Sequence, residues 1–169
     1  MAEVTLKGSK VHTNGELPEV GSLAKDFKLV DKDFNNRTLK DFGSKRKLLS
    51  VVVSMDTPEC IISSRKFNEA LKAHPAVVAL IISGDLPFAQ NRLCIADKLE
   101  NIITLSMVRS KDFARDYGIL LIDGPLEGLS ARAVLVLDEN NKVVYKQLVP
   151  EIVREPDYEP ALQALLQKS

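Results

Sequence analysis

The segment LLSVVVSMDTPECIISSRKF, residues 48 to 67, carries the strongest structural signal in the sequence. It begins with an apolar, β-branched run, Leu48 to Val53, which predicts a strand buried on both faces in a parallel or mixed sheet. Thr57 then suits the N-cap of a helix, and Pro58 suits its first position. On this register Cys60 lies in the first turn of a helix, just beyond the C-terminal end of a central strand.

The position of Cys60 matters because the thiolate is the reactive form of cysteine. A helix N-terminus stabilises a nearby anion by roughly 0.3–1 kcal/mol, and an arginine or a hydroxyl donor would add to that. Glu59 acts in the opposite direction unless its carboxylate points to solvent. A buried structural cysteine is the alternative for any single cysteine, but the strand–TPEC–helix context favours a reactive one.

The composition restricts the class of protein. The 23 basic and 23 acidic side chains cancel, so no net charge favours nucleic acid or an anionic membrane as a partner. Two cysteines and two histidines, without a CxxC or HExxH motif, predict no metal site and no bound cofactor. The N-terminus has no signal-peptide pattern, and no apolar run reaches the ~20 residues that span a bilayer. We therefore expect one cytoplasmic domain over residues 1–169.

The pattern after Cys60 predicts a strand–helix–strand unit. The helix that begins at Pro58 should end at His74-Pro75, because the residue before proline avoids helical backbone angles. A second apolar run, Val77 to Ser83, predicts a strand parallel to the first, joined by a right-handed crossover.

The remaining segments complete an α/β pattern. Gly8-Ser9 predicts a type II′ turn in an N-terminal β-hairpin. Further strands are expected over Ile102–Ser106 and, as an antiparallel hairpin, over Arg132–Leu137 and Lys142–Leu148. Short helices are expected near residues 88–98 and 111–117, and a last helix over residues 156–167. The predicted fold is thus a thioredoxin-like mixed central β-sheet flanked by helices, with an N-terminal β-hairpin.

Four segments resemble the bacterial thiol peroxidases, the atypical two-cysteine branch of the peroxiredoxin family. They are SMDTPEC followed by SSRKFN, GDLPFAQNRLC, DYGILL with GPLEGLSARAV, and QLVPEIVREPDYE. The resemblance implies that Cys60 is the peroxidatic cysteine and Cys94 the resolving one. It also implies that the Thr57 hydroxyl binds thiolate and peroxide, and that the Arg132 guanidinium lies beside the sulfur.

The same resemblance implies a function. The protein is expected to reduce hydrogen peroxide and alkyl hydroperoxides through a Cys60 sulfenic acid and an intramolecular Cys60–Cys94 disulfide. Thioredoxin would reduce that disulfide, and the protein would be a homodimer. From the residues alone the roles stay open: Thr57 also reads as a plain N-cap, Arg132 as a solvated residue at a strand mouth, and Cys94 as a small core residue.

Three other functions can be weighed against the peroxidase. A Cys–His hydrolase is disfavoured because His74 is fourteen residues from Cys60 on one helix, roughly 21 Å away. A thiol–disulfide oxidoreductase is disfavoured by the missing CxxC. A redox-sensing or binding module with slow turnover is favoured by Val53 and Glu59, where the family usually has proline and an aliphatic residue.

Overall fold

The computed structural model describes residues 1–167, which form nine β-strands, a 3₁₀-helix and four α-helices. The strands are β1 Glu3–Leu6, β2 Ser9–His12, β3 Leu29–Val30, β4 Asn36–Arg37, β5 Arg46–Val51, β6 Val77–Ser83, β7 Ile103–Ser106, β8 Ala133–Leu137 and β9 Val143–Leu148. The helices are α1 Pro58–Leu71, α2 Pro87–Ala96, α3 Asp112–Asp116 and α4 Tyr158–Leu166, and the 3₁₀-helix is Leu39–Phe42.

Seven of these strands form a mixed sheet in the order β4-β3-β7-β6-β5-β8-β9. The central strand β5 pairs with β6 in parallel and with β8 in antiparallel orientation. Val51, at the end of β5, lies opposite Ile82 on one side and Ala133 on the other. The predicted parallel strand–helix–strand unit and the antiparallel hairpin are both present, and β8 brings residue 132 next to the end of β5.

Alternate residues of β5 enter two different apolar clusters. Leu48 packs into a cluster with α1 and α4 residues such as Phe67 and Leu165, whereas Leu49 packs into the cluster on the opposite face. Both leucines have no exposed surface. The β-branched run therefore forms a strand that is covered on both faces, as its composition indicates.

The N-terminal hairpin is present, but its predicted turn is wrong by one residue. β1 and β2 pair with Leu6 opposite Ser9, so the turn residues are Lys7 and Gly8. Both have positive φ, 50° and 84°, which is the type I′ rather than the type II′ conformation. The physical reason lies far along the chain, because the Glu151 carboxylate accepts hydrogen bonds from the backbone N–H groups of Lys7 (2.9 Å) and Gly8 (3.0 Å).

Glu151 joins this hairpin to the segment that follows β9. Its carboxylate also accepts a 2.7 Å hydrogen bond from the Thr5 hydroxyl. That bond, together with the bonds from the turn N–H groups, lowers the pKa of Glu151 to about 2. The neighbouring Ile152 donates its N–H to the Thr5 carbonyl (2.8 Å), so the hairpin and this segment are held together at several points.

We expect the Glu151→Gln variant to unfold at a lower urea concentration than the wild type at pH 7. A carboxylate with a depressed pKa stabilises the folded state above the pKa of the unfolded chain, about 4.3, and this contribution disappears as the pH falls towards 2. The difference between the two proteins should therefore shrink between about pH 4.5 and pH 2. Urea unfolding followed by circular dichroism measures it. Glu127→Gln, at an exposed loop glutamate, is the control; a Glu151→Gln effect equally large at pH 2.5 would contradict the assignment.

Candidate active site

Cys60 is the third residue of α1, at the C-terminal end of the central strand β5. Pro58 is the first residue of the helix and Glu59, which is half-buried, the second. The side chain of Cys60 has no exposed surface and packs among apolar residues such as Val52 and Met55. The structure therefore places the cysteine in the first helical turn, where the backbone N–H groups and the helix dipole favour an anion.

Arg132 contacts the sulfur of Cys60. It immediately precedes β8 and is only 2 % exposed. Its Nη1 donates to Cys60 Sγ at 3.0 Å, and its Nε donates to the Ile152 carbonyl at 3.0 Å. The pairing of β8 with β5 produces this contact, because it places the buried guanidinium of Arg132 beside the sulfur at the start of α1. A thiolate is the form of the sulfur that this charge stabilises.

Thr57 occupies the N-cap position, but its side chain makes no capping hydrogen bond. The hydrogen bond that a threonine N-cap often makes to the backbone N–H of the third helical residue, here Cys60, is therefore absent. The Thr57 hydroxyl instead donates to the carbonyl oxygen of Ser54 at 3.2 Å. Since its proton is used there, the hydroxyl oxygen has lone pairs with which to accept a hydrogen bond from a substrate.

A group of polar residues beyond Arg132 was missed in the sequence analysis. The Tyr158 hydroxyl donates to Glu155 at 2.7 Å, and Lys66 Nζ lies 3.2 Å from the same carboxylate. The Tyr158 hydrogen bond, and then Lys66, lower the pKa of Glu155, and the charge of Arg132 also contributes. Burial raises the pKa of the Tyr158 hydroxyl. Glu155 and Tyr158 belong to the REPDYE segment and Lys66 to α1, but nothing local in that segment indicates that it approaches Cys60.

Cys94 lies on α2, two residues before its C-terminal end, and is partly exposed. It lines a cavity of about 570 Å³ together with Lys32, Asn91 and Lys98. Cys60 is not one of the described residues that line this cavity. Burial raises the pKa of the Cys94 thiol, against the opposing effect of a hydrogen bond with Thr104. Both cysteines are free thiols. Thr57 and Arg132 are thus gathered near Cys60, while Cys94 is on a separate helix.

The two histidines and the acidic residues offer no competing centre. His12 lies in the N-terminal hairpin, and its Nδ1 is 2.7 Å from Asp123 Oδ2. His74 follows the end of α1. Over residues 1–167, no group of three or more histidine, cysteine, aspartate or glutamate side chains could hold a metal ion. In the same range, no helix is long and apolar enough to cross a membrane.

Comparison with known proteins gives the same family from sequence and from structure. Residues 19–162 match the Redoxin family model. Thiol peroxidases from two serovars of Leptospira interrogans are 44% identical over 166 residues, which is 97% of this chain and 97% of each relative. A peroxiredoxin-like protein from Aquifex aeolicus superimposes with a TM-score of 0.91 at 36% identity, covering 98% of this chain and 96% of that one.

A thiol peroxidase from Chromobacterium violaceum, 27% identical, superimposes with a TM-score of 0.86 over 92% of this chain and 90% of that one. The chain therefore belongs to the redoxin family and, within it, to the thiol peroxidases. The resemblance to this family and the thioredoxin-like fold that the sequence predicted are confirmed.

We expect the Arg132→Met variant to alkylate at Cys60 about ten- to a hundredfold more slowly than the wild type at pH 7, because a hydrogen bond to a charged group is worth about 1.5–3 kcal/mol. Methionine keeps much of the buried volume and removes the charge. The rate of iodoacetamide labelling, with Cys94 replaced by serine in both proteins, measures the effect.

Arg65→Met is the matched control, since Arg65 is an exposed α1 arginine that pairs with Asp97. Equal labelling rates for the Arg132 variant and the wild type would show that the guanidinium does not activate the sulfur.

Proposed function

We propose that this thiol-dependent peroxidase reduces hydrogen peroxide and alkyl hydroperoxides with Cys60 as the peroxidatic cysteine and Cys94 as the resolving cysteine. The observation that carries the proposal is the 3.0 Å contact between Arg132 Nη1 and Cys60 Sγ at a helix N-terminus. This arrangement supports a thiolate without a histidine base, which is what a direct attack on peroxide needs.

In the first step the Cys60 thiolate attacks the terminal oxygen of the peroxide in line with the O–O bond. The S–O bond forms as the O–O bond breaks, and the leaving oxygen takes a proton and departs as water or an alcohol. Cys60 becomes a sulfenic acid. Arg132 and the backbone N–H groups of the first helical turn stabilise the charge that develops across the breaking bond. The Thr57 hydroxyl oxygen accepts a hydrogen bond from the peroxide.

In the second step the thiolate of Cys94 attacks the sulfenic sulfur. The S–S bond of the Cys60–Cys94 disulfide forms as the S–O bond breaks, and the leaving hydroxide takes a proton from solvent and departs as water. Exchange with a dithiol then restores both thiols. We propose thioredoxin as that dithiol. Cys94 is partly exposed beside an open cavity, which supports its access to a protein reductant. The raised pKa of its thiol means that local unfolding of α2, by exposing the sulfur to water, favours the attacking thiolate.

The disulfide requires a change of conformation. Bridged cysteines have Cα atoms within about 7 Å of each other, yet Cys60 and Cys94 lie inside two different helices. We propose that the two cysteines are beyond bonding reach in the reduced protein and that the first turn of α1 and the end of α2 unwind to bring them together. A reduced structure with the two sulfurs already within bonding distance would contradict this step.

We expect the Cys60→Ser variant to lose peroxide turnover, because the attacking sulfur is gone. The Cys94→Ser variant should consume about one equivalent of peroxide and then stop, since its sulfenic acid has no intramolecular thiol to form a disulfide. Peroxide consumption with thioredoxin, thioredoxin reductase and NADPH measures both effects.

Peptide mass spectrometry of the wild type after one equivalent of peroxide should find the 60–94 crosslink. Normal cycling by Cys94→Ser would rule out its role as the resolving cysteine.

A slow redox-sensing module on the same fold is the second candidate function. It is favoured by Val53, which is buried next to the active-site segment, and by the half-buried carboxylate of Glu59 one residue before the sulfur. Stopped-flow oxidation of Cys60 separates the candidates: a rate no faster than that of free cysteine would favour the module, and a much faster rate the peroxidase.

We also propose a cytoplasmic homodimer that binds neither nucleic acid nor membranes. The equal numbers of acidic and basic residues support the absence of such charged partners. An apolar surface at α2 supports self-association: the N-cap residue Leu86 and the helix residues Phe88 and Ile95 are 54 %, 72 % and 71 % exposed, and the Phe88 ring lies 4.8 Å from the Phe34 ring at an angle of 52°. Sedimentation velocity of the reduced protein tests this; a monomer at micromolar concentration would exclude a stable dimer.

A further inference from the structure

Asp85 is the centre of a hydrogen-bond network that the peroxidase mechanism does not yet use. Its Oδ1 accepts a hydrogen bond from the Ser54 hydroxyl (2.7 Å). Its Oδ2 accepts two, from the backbone N–H of Met55 (2.7 Å) and from the Ser83 hydroxyl (2.6 Å). Three donors from two separate strand ends thus converge on one carboxylate. Since an asparagine amide has only one acceptor oxygen, this set of donors favours aspartate.

One side of the network leads to the segment that precedes Cys60. The Ser54 hydroxyl, held by Asp85, accepts a hydrogen bond from the N–H of Asp56 (3.1 Å). The Ser54 carbonyl accepts the hydrogen bond from the Thr57 hydroxyl (3.2 Å). The position and the orientation of the Thr57 hydroxyl are therefore determined by Ser54, and the position of Ser54 is determined by Asp85.

The other side of the network fixes the beginning of α2, the helix that carries Cys94. The main-chain carbonyl of Asp85 accepts a short hydrogen bond from the Ser106 hydroxyl at the end of β7. Gln90, which is fully buried, donates to the Ser83 hydroxyl (2.9 Å) and to the Leu105 carbonyl (3.0 Å). Asp85 is thus attached to the sheet itself and forms a rigid support for the segment 54–57.

We infer that Asp85 is a positioning residue for the peroxide step, which acts through Ser54 and Thr57. This inference rests on the proposed function of Cys60 and Thr57. The carboxylate holds the segment between β5 and α1 so that the Thr57 hydroxyl donates to Ser54 and keeps its oxygen free to accept from a peroxide. Without Asp85, the segment 54–57 loses the acceptor for two of its donors, and the Thr57 oxygen is no longer held in place.

The first test compares two reagents on the Asp85→Ala variant. Oxidation of Cys60 by hydrogen peroxide needs a positioned Thr57 hydroxyl, so it should slow about tenfold or more, as small misplacements of positioning groups do. Alkylation by iodoacetamide needs the sulfur and Arg132 but no Thr57 hydrogen bond, so its rate should stay close to that of the wild type. Equal slowing with both reagents would indicate general damage to the site and would overturn the inference.

The second test asks whether Asp85 acts through Thr57. In a Thr57→Val background the hydroxyl is absent, so Asp85→Ala should cause no further slowing with hydrogen peroxide. Two residues that act on the same step through one contact are non-additive, and the double-mutant cycle measures this coupling. Full additivity of the two substitutions would exclude the route through Thr57.

A control and a milder variant complete the design. Asp116→Ala removes an α3 carboxylate that binds Lys25 (2.8 Å) and should leave both rates unchanged. Ser54→Ala keeps Asp85 but removes the hydroxyl that bonds to it, so it should also slow the reaction with hydrogen peroxide. This variant decides the question if thermal melting shows that Asp85→Ala does not fold. Wild-type peroxide rates in Ser54→Ala would overturn the inference. A slow wild type would instead count against the proposed function itself.

Discussion

The contact between the Arg132 guanidinium and the Cys60 sulfur links the fold of the protein to the chemistry of its site. Both side chains are buried, and a charge removed from water costs several kcal/mol unless it is paired and hydrogen-bonded. Arg132 has the Ile152 carbonyl on one side of its guanidinium and the sulfur on the other. A neutral thiol compensates that charge poorly and a thiolate compensates it well, so the surroundings that bury Arg132 also favour the reactive state of Cys60.

Three parts of the chain hold that contact in place. The parallel β5–α1–β6 unit places Cys60 just beyond the carboxyl end of β5. The antiparallel pairing of β8 with β5 places Arg132 at the same end of that strand. The segment after β9 supplies the Ile152 carbonyl, and Glu151 attaches that segment to the N-terminal hairpin. The hairpin is therefore linked to the active site through two consecutive residues, 151 and 152, even though it contains no catalytic group.

The sequence predicts those parts of the structure that depend on local pattern. The strand Val77–Ser83 and the start of α1 at Pro58 follow from an apolar run and from cap and proline signals, and both agree with the structure. The contacts of Arg132 and Asp85 could not be read in this way, because their partners are 72 and 31 residues away in the chain. The turn at Lys7-Gly8 was misread for a similar reason, since the carboxylate that accepts hydrogen bonds from both turn N–H groups is that of residue 151.

The way α1 begins is compatible both with a well-formed reduced site and with the proposed unwinding of its first turn. An N-cap side chain typically stabilises a helix by about 1 kcal/mol, yet Thr57 provides no side-chain cap for α1. The threonine hydroxyl instead donates to the Ser54 carbonyl, which leaves its oxygen available for the proposed hydrogen bond from a peroxide. The first turn that carries Cys60 is held by the backbone hydrogen bond from Ile61 N–H to the Thr57 carbonyl (3.0 Å) and by the interaction of the Cys60 sulfur with Arg132. In the proposed mechanism, oxidation of Cys60 to a neutral sulfenic acid weakens its interaction with Arg132, so the step that consumes the peroxide also lowers the cost of opening the helix.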